Sequence, residues 1–275
     1  MIVLGGSSRQ SLAALRVALD NTLKGVSAGD ASAISSDLFK ALVAIDSSTG
    51  LRRALTDSSR DAASKSDLVS DLFKKSLGGP ALSLLGTAVS LRWSSPSGIA
   101  DAIEQIAVET EAAAANLGNS LDQVQSEIFT FSKLLIENPE LRTALSARAE
   151  TPAAKQELLK SIFGAKFAAS TNSLLSHSVE SRRARSIEKT VAAYSHAVTA
   201  RRNRVNAHIK SSIALSDGQA KKLADSLTKQ IGQPVHLNIE IDPSVLGGIS
   251  IRFGDEVIDG TIANRLAEAS RSLVS

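Results

Sequence analysis

The chain has 275 residues, of which 43% are hydrophobic and 21% charged, enough apolar material for a real core and about two domains of ordinary size. Aromatics are only 3%, with Trp93 and Tyr194 the single Trp and Tyr, while Ala and Ser make up roughly three in ten residues, a composition suited to closely packed helices rather than an aromatic-lined ligand pocket. Cysteine is absent, which excludes disulfides, thiol nucleophiles and thiolate metal sites, and the formal charge is a modest +3.

The first six residues, Met1 to Gly6, are too short for a signal peptide and carry no basic region. From residue 7 to about 200 the local signals are helical. Ser64 with Asp67 predicts a capping box, and Gly78-Gly79-Pro80 stops that helix. The uncharged run between Lys75 and Arg92 contains this break. A membrane span needs about 20 uninterrupted apolar residues, so the run predicts a buried core helix. Ile99, Ile103, Ile106 and Thr110 precede Leu117, Leu121, Val124, Ile128, Phe131 and Leu135. The second set steps by three and four, on one long helix or on two broken near Gly118. Asn138-Pro139 and Thr151-Pro152 each place a capping side chain before a proline at the first helical position, and Gly164 ends the second of these helices.

The pattern changes after Arg204. Val205, Ala207 and Ile209 alternate with polar neighbours, which predicts a strand. Ser216 with Gln219 opens a helix carrying Leu223, Leu227 and Ile231, ended by Gly232. Val235, Leu237, Ile239 and Ile241 alternate as a half-buried strand, Asp242-Pro243 turns the chain, and Ile249, Ile251 and Phe253 alternate again. Gly254-Asp255 makes a hairpin turn to Val257-Ile258, and Asp259 can cap a last helix bearing Ile262, Leu266 and Leu273.

Sliding the chain by 90 residues aligns Leu51-Arg52-Arg53-Ala54-Leu55 with Leu141-Arg142-Thr143-Ala144-Leu145, and without a gap Ala63, Lys65, Leu68 and Phe73 with Ala153, Lys155, Leu158 and Phe163. Over 51–73 there are 8 identities in 23, where chance would give about two. Phe39 meets Phe129 and Val89 meets Val179. Two copies are too few for a solenoid, so the expected architecture is mainly α: two tandem helical bundles, 1–95 and 96–200, then a small α/β domain, 201–275.

Catalytic chemistry finds little footing. His177, His196, His208 and His236 are far apart and none has metal-ligand spacing; no phosphate loop occurs, and Gly247-Gly248 enters a strand instead of a helix. Neither a metal nor a cofactor is expected. Between 178 and 210, Arg182, Arg183, Arg185, Lys189, Arg201, Arg202, Arg204 and Lys210 face only Glu180 and Glu188, so this segment carries +6 and the remainder −3. Such a stripe is a solvated helix face, an acidic protein contact, or a phosphate-binding surface in a helical scaffold or nucleic-acid-binding protein. Only Tyr194 could stack on a base, so nucleic acid is not the expected partner.

The order Asp242-Pro243, Leu246-Gly247-Gly248, Gly254-Asp255, Val257-Ile258-Asp259-Gly260 and Arg265-Leu266 resembles the C-terminal signature of the δ subunit of F-type ATP synthases, called the oligomycin sensitivity-conferring protein in mitochondria. Asn138-Pro139-Glu140-Leu141, Lys155, Ser216 and Gln219 also fit, so the resemblance covers about residues 100–275. It implies a non-catalytic peripheral-stalk subunit on the cytoplasmic face of the membrane, without membrane insertion. Its helical part would receive alpha-subunit N-terminal segments at the alpha/beta head, and its C-terminal domain would hold the end of subunit b. The extra helical copy is similar to the actinobacterial form. Mycobacterial relatives carry a fused b-type segment that this chain lacks, so b is expected as a separate chain. The resemblance does not indicate which helical copy meets the alpha subunit.

Overall fold

The computed structural model describes residues 6–147, 149–180, 185–231, 235–242, 245, 248–253 and 256–259. Eleven helices come first: α1 (Gly6–Thr22), α2 (Ala28–Ser47), α3 (Thr49–Thr56), α4 (Ala62–Phe73), α5 (Gly79–Ser90), α6 (Pro96–Leu117), α7 (Leu121–Glu137), α8 (Pro139–Ser146), α9 (Pro152–Phe163), α10 (Ala169–Glu180) and α11 (Ile187–Val205). Then follow β1 (Asn206–Ser211), α12 (Asp217–Ile231), β2 (His236–Ile241), β3 (Ile249–Phe253) and β4 (Glu256–Asp259). The chain forms two compact units, Met1–Thr199 and Ala200–Ser275, divided within α11. The mainly helical class with a small α/β region is as expected.

The repeat is carried by whole helices. α3, α4 and α5 begin at 49, 62 and 79; α8, α9 and α10 begin at 139, 152 and 169, each 90 residues on and of the same length. By the same displacement, α1 starting at 6 corresponds to α6 starting at 96, and α6 in turn, to within one residue, to α11 starting at 187. α6 is therefore the closing helix of the first copy and the opening helix of the second. Its burial follows from this double duty: 16 of its 22 residues are buried, as in a helix packed on every side. The run Ala112–Ala115 supplies small side chains where neighbouring backbones crowd it. One apolar cluster runs from Leu12 through Ile103 and Phe131 to Val198, so the helical copies share a core.

Local chemistry sets the helix ends. Asp61, not Ser64, caps α4, accepting from the Ser64 N–H at 2.8 Å and the Ser64 hydroxyl at 2.8 Å. The backbone bond first, then the hydroxyl, hold its carboxyl below the usual carboxylate range. An Asp three residues before Ser64 competes for the cap and wins because its side chain reaches the free amides. Thr151 caps α9 as expected, whereas the Asn138 amide turns back to the Leu134 carbonyl at 3.0 Å. α6 and α7 are separate helices: Gly118 ends α6, and Asn119 takes a left-handed φ of 56°. Two acids unmarked by any sequence motif repeat across the copies. Asp37 Oδ2 accepts the Gly78 N–H at 2.8 Å before α5, and Glu127 Oε2 accepts the Ala168 N–H at 2.9 Å before α10. Each ties the second helix of its copy to the free amides opening the fifth.

In the second unit, β1 lies inside a four-stranded sheet of order β2-β1-β3-β4, parallel to β2 and antiparallel to β3; β4 returns antiparallel to β3. Ile209 stands level with Ile239 on one side and Ile251 on the other, so one face collects the apolar set. Ala207, Ile209, Ile251, Val235 and Leu227 of α12 form its small core. Ser216 and Gln219 make the expected reciprocal box, with Ser216 N–H to Gln219 Oε1 at 3.0 Å and Gln219 N–H to Ser216 Oγ at 3.4 Å.

Candidate docking surfaces

α2 crosses α6 and α10. Ser35 Oγ donates to the Ala107 carbonyl at 2.9 Å, Ser32 Oγ donates to the Glu111 carboxylate at 3.0 and 3.1 Å, and the Phe39 ring stacks on His177 with centroids 4.0 Å apart. Ninety residues earlier the positions of Ala107, Glu111 and His177 hold Val17, Asn21 and Thr87. Val17 is 54% exposed, Asn21 is exposed and Thr87 half-buried. Along α1, Gln10, Ala13 and Ala14 are exposed where Ala100, Ile103 and Glu104 of α6 are buried. On α5, Ser83 and Ser90 are exposed where Ser173 and Glu180 of α10 are half-buried. The face that α2 fills on the second copy is thus solvent-exposed on the first, where small side chains leave room for a helix to approach.

The reverse holds for α7. Phe129, the counterpart of Phe39, is 61% exposed, and Ile136 one heptad on is 72% exposed. Lys133 Nζ sits 5.6 Å from the Phe129 ring centroid.

Three acids of α6 are buried to 1% exposure or less: Glu104, Glu109 and Glu111. Arg16 grips Glu109 with Nε at 2.9 and 3.2 Å and Nη2 at 2.6 Å, and Gln105 adds a bond of 3.2 Å. Arg185 pairs with Glu104. These clamps fasten α1 and the segment before α11 to the shared helix. Glu111 instead faces hydroxyls. Burial pushes its carboxyl above the usual range, opposed by Ser170, Ser32 and Ser35 and by the charge of His177.

This redistributes the basic stripe. Of its residues, Arg185 is committed to a buried acid, Arg201 is buried and Arg202 is exposed. Arg182, Arg183 and the Arg204 side chain lie outside the described residues. Among the described residues no group of three His, Asp or Glu could hold a metal ion, and no helix is long and apolar enough to cross a membrane.

Of the C-terminal signature, Asp242 and Gly248 are described in detail. The Asp242 N–H donates to the Ser211 carbonyl at 2.9 Å, its carbonyl accepts the Val245 N–H at 3.1 Å, and its Oδ2 accepts Lys210 Nζ at 3.0 Å. That bond, then the Asp242 charge, holds the Lys210 ammonium above its usual range. Gly248 has φ of 83°, where a Cβ would be strained. The strand backbone of Asp259 is described but not its side chain. Pro243, Leu246, Gly247, Gly254, Asp255, Gly260 and Leu266 lie outside the described residues, as does the expected final helix.

The family model for the ATP synthase delta (OSCP) subunit matches residues 110–273. An ATP synthase subunit delta from Streptomyces griseus is 38% identical over 270 residues, covering 98% of this chain and 99% of the relative. One from Thermobifida fusca is 34% identical over 268 residues, covering 98% of each. A chain in the mitochondrial ATP synthase hexamer of Toxoplasma gondii is 18% identical, with a TM-score of 0.33, over 61% of this chain and 97% of that one.

Proposed function

Since the chain belongs to the ATP synthase delta (OSCP) subunit family, we propose that it is a stator element of an F-type ATP synthase, tying the alpha/beta head to subunit b so that the head resists rotational torque. The reading is mechanical and assigns no catalytic group. Rotation of the central stalk drags on the head, and a connector in series with that load must neither stretch nor release. A shared central helix clamped by buried Arg–Glu pairs supplies stiffness, and buried helix-in-groove contacts supply slow release. The α/β unit is the candidate holder of the subunit b C-terminus, and the whole is expected as a peripheral protein on the cytoplasmic face.

The observation supporting a helix-docking role is the exposed α1/α5 face, whose counterpart on α6 and α10 is filled by α2. An alpha-subunit N-terminal helix is the proposed occupant. Separate fragments would test this badly, because cutting at residue 95 removes α6 from the first copy. The full chain is titrated instead with an alpha N-terminal peptide, as wild type, Val17→Glu and Phe129→Glu. Val17→Glu is expected to weaken binding about tenfold or more, the effect of placing a charge in a desolvated contact, and Phe129→Glu to leave it unchanged. The opposite pattern moves the site to the second copy, and no binding by the wild type sinks the helix-docking reading.

A further inference from the structure

The seam between the helical copies contains a group that the stator reading does not use. Glu111 of α6 is 1% exposed, and three hydroxyls surround its carboxyl: Ser32 and Ser35 from α2 and Ser170 from α10. The titratable group acting on it from α10 is His177, whose Nδ1 lies 2.9 Å from Glu180 Oε2 and whose ring stacks on Phe39 of α2. The other two buried acids of α6, Glu104 and Glu109, face the arginines Arg185 and Arg16. Glu111 is held by hydroxyls instead.

We propose that Glu111 makes the joint between the two helical copies proton-sensitive, α2 gripping α6 and α10 more firmly as the pH falls. The seam carries least buried charge when this carboxyl is protonated. On Glu111 that proton removes a desolvated charge and turns the carboxyl into a donor among hydroxyls. Protonation therefore strengthens the seam. The sign follows from linkage: a carboxyl raised on folding binds a proton as the chain folds. Its stabilisation is complete below the unfolded carboxyl range and is lost as the pH rises through the folded value. The inference concerns this chain alone and stands or falls apart from any partner.

Hydrogen exchange of the full-length chain, corrected for the intrinsic pH dependence of exchange, reads the seam directly. As the pH rises from 4 to 8, protection of α2 and α10 amides is expected to fall, while α4 and α9 amides change little. Glu111→Gln keeps an amide among the hydroxyls without a charge and should flatten the profile. A flat wild-type profile, or the same slope in Glu111→Gln, overturns the proposal. Should that variant fail to fold, carboxyl-carbon NMR of the unmodified chain decides: one glutamate titrating above the exposed ones supports it, and Glu111 titrating with them refutes it.

Discussion

Phe39 and Phe129 occupy one position of the repeat, and substituting each by Ala tests whether the two copies have diverged into an inner and an outer role. Phe39 is 2% exposed, stacked on His177 at 4.0 Å and near Tyr194 at 6.2 Å. Removing a buried ring costs its transfer free energy plus a cavity term, about 3–5 kcal/mol. The stacking adds to the lower end of that range. Phe129 is 61% exposed, so its ring leaves mostly water, and its contact with Lys133 contributes about 0.5 kcal/mol at an exposed site. At about 2–4 °C per kcal/mol for a unit of this size, Phe39→Ala should lower the melting temperature of the helical unit by about 10 °C and Phe129→Ala by about 1 °C. Circular dichroism melts of the full chain at 222 nm follow both variants. Equal shifts would refute the argument, because they would mean that α2 is no more deeply seated between α6 and α10 than α7 is on its exposed side.

Arg16→Met strands Glu109 in the core without its guanidinium and should cost about 3–5 kcal/mol in urea unfolding, whereas the double change with Glu109→Leu should recover most of the loss; a double variant as unstable as the single one contradicts the account. Asp61→Ala removes the α4 cap and is expected to lower stability by about 1 kcal/mol, with Ser64→Ala costing less; the reverse order in denaturant midpoints would restore Ser64 as the cap. Gly248→Ala forces a Cβ into left-handed backbone and should destabilise the α/β unit by about 1–2 kcal/mol, read from exchange at β1 and β3 amides, with no change in the helical unit.

The family could be read from the chain because its signals are local and dense. Turn residues such as Asp242 and Gly248 serve a backbone geometry fixed within a few residues, so their order survives as a motif. The 90-residue repeat was likewise legible, since α3, α4 and α5 recur with unchanged lengths. Helix ends were legible where a cap stood alone, as at Thr151, and misread where two candidates lay within reach of the same amides, as at Asp61 and Ser64. The basic stripe is not uniform in the fold. A run of arginines looks uniform in sequence, but Arg185 faces a carboxylate 81 residues earlier.

Amino-acid order by itself determined the helices and the small α/β unit, from periodicity, caps and turns within a short stretch of chain, the duplication, from the 90-residue offset, and the family, from resemblance to a C-terminal signature. It did not determine that one helix serves both copies, that Phe39 is buried while Phe129 is exposed, or that Glu111 faces hydroxyls while Glu104 and Glu109 face arginines. Those facts depend on which surfaces meet across α6. Identical residues at equivalent repeat positions have different energies because burial and dielectric are properties of the packed neighbours and not of the residue.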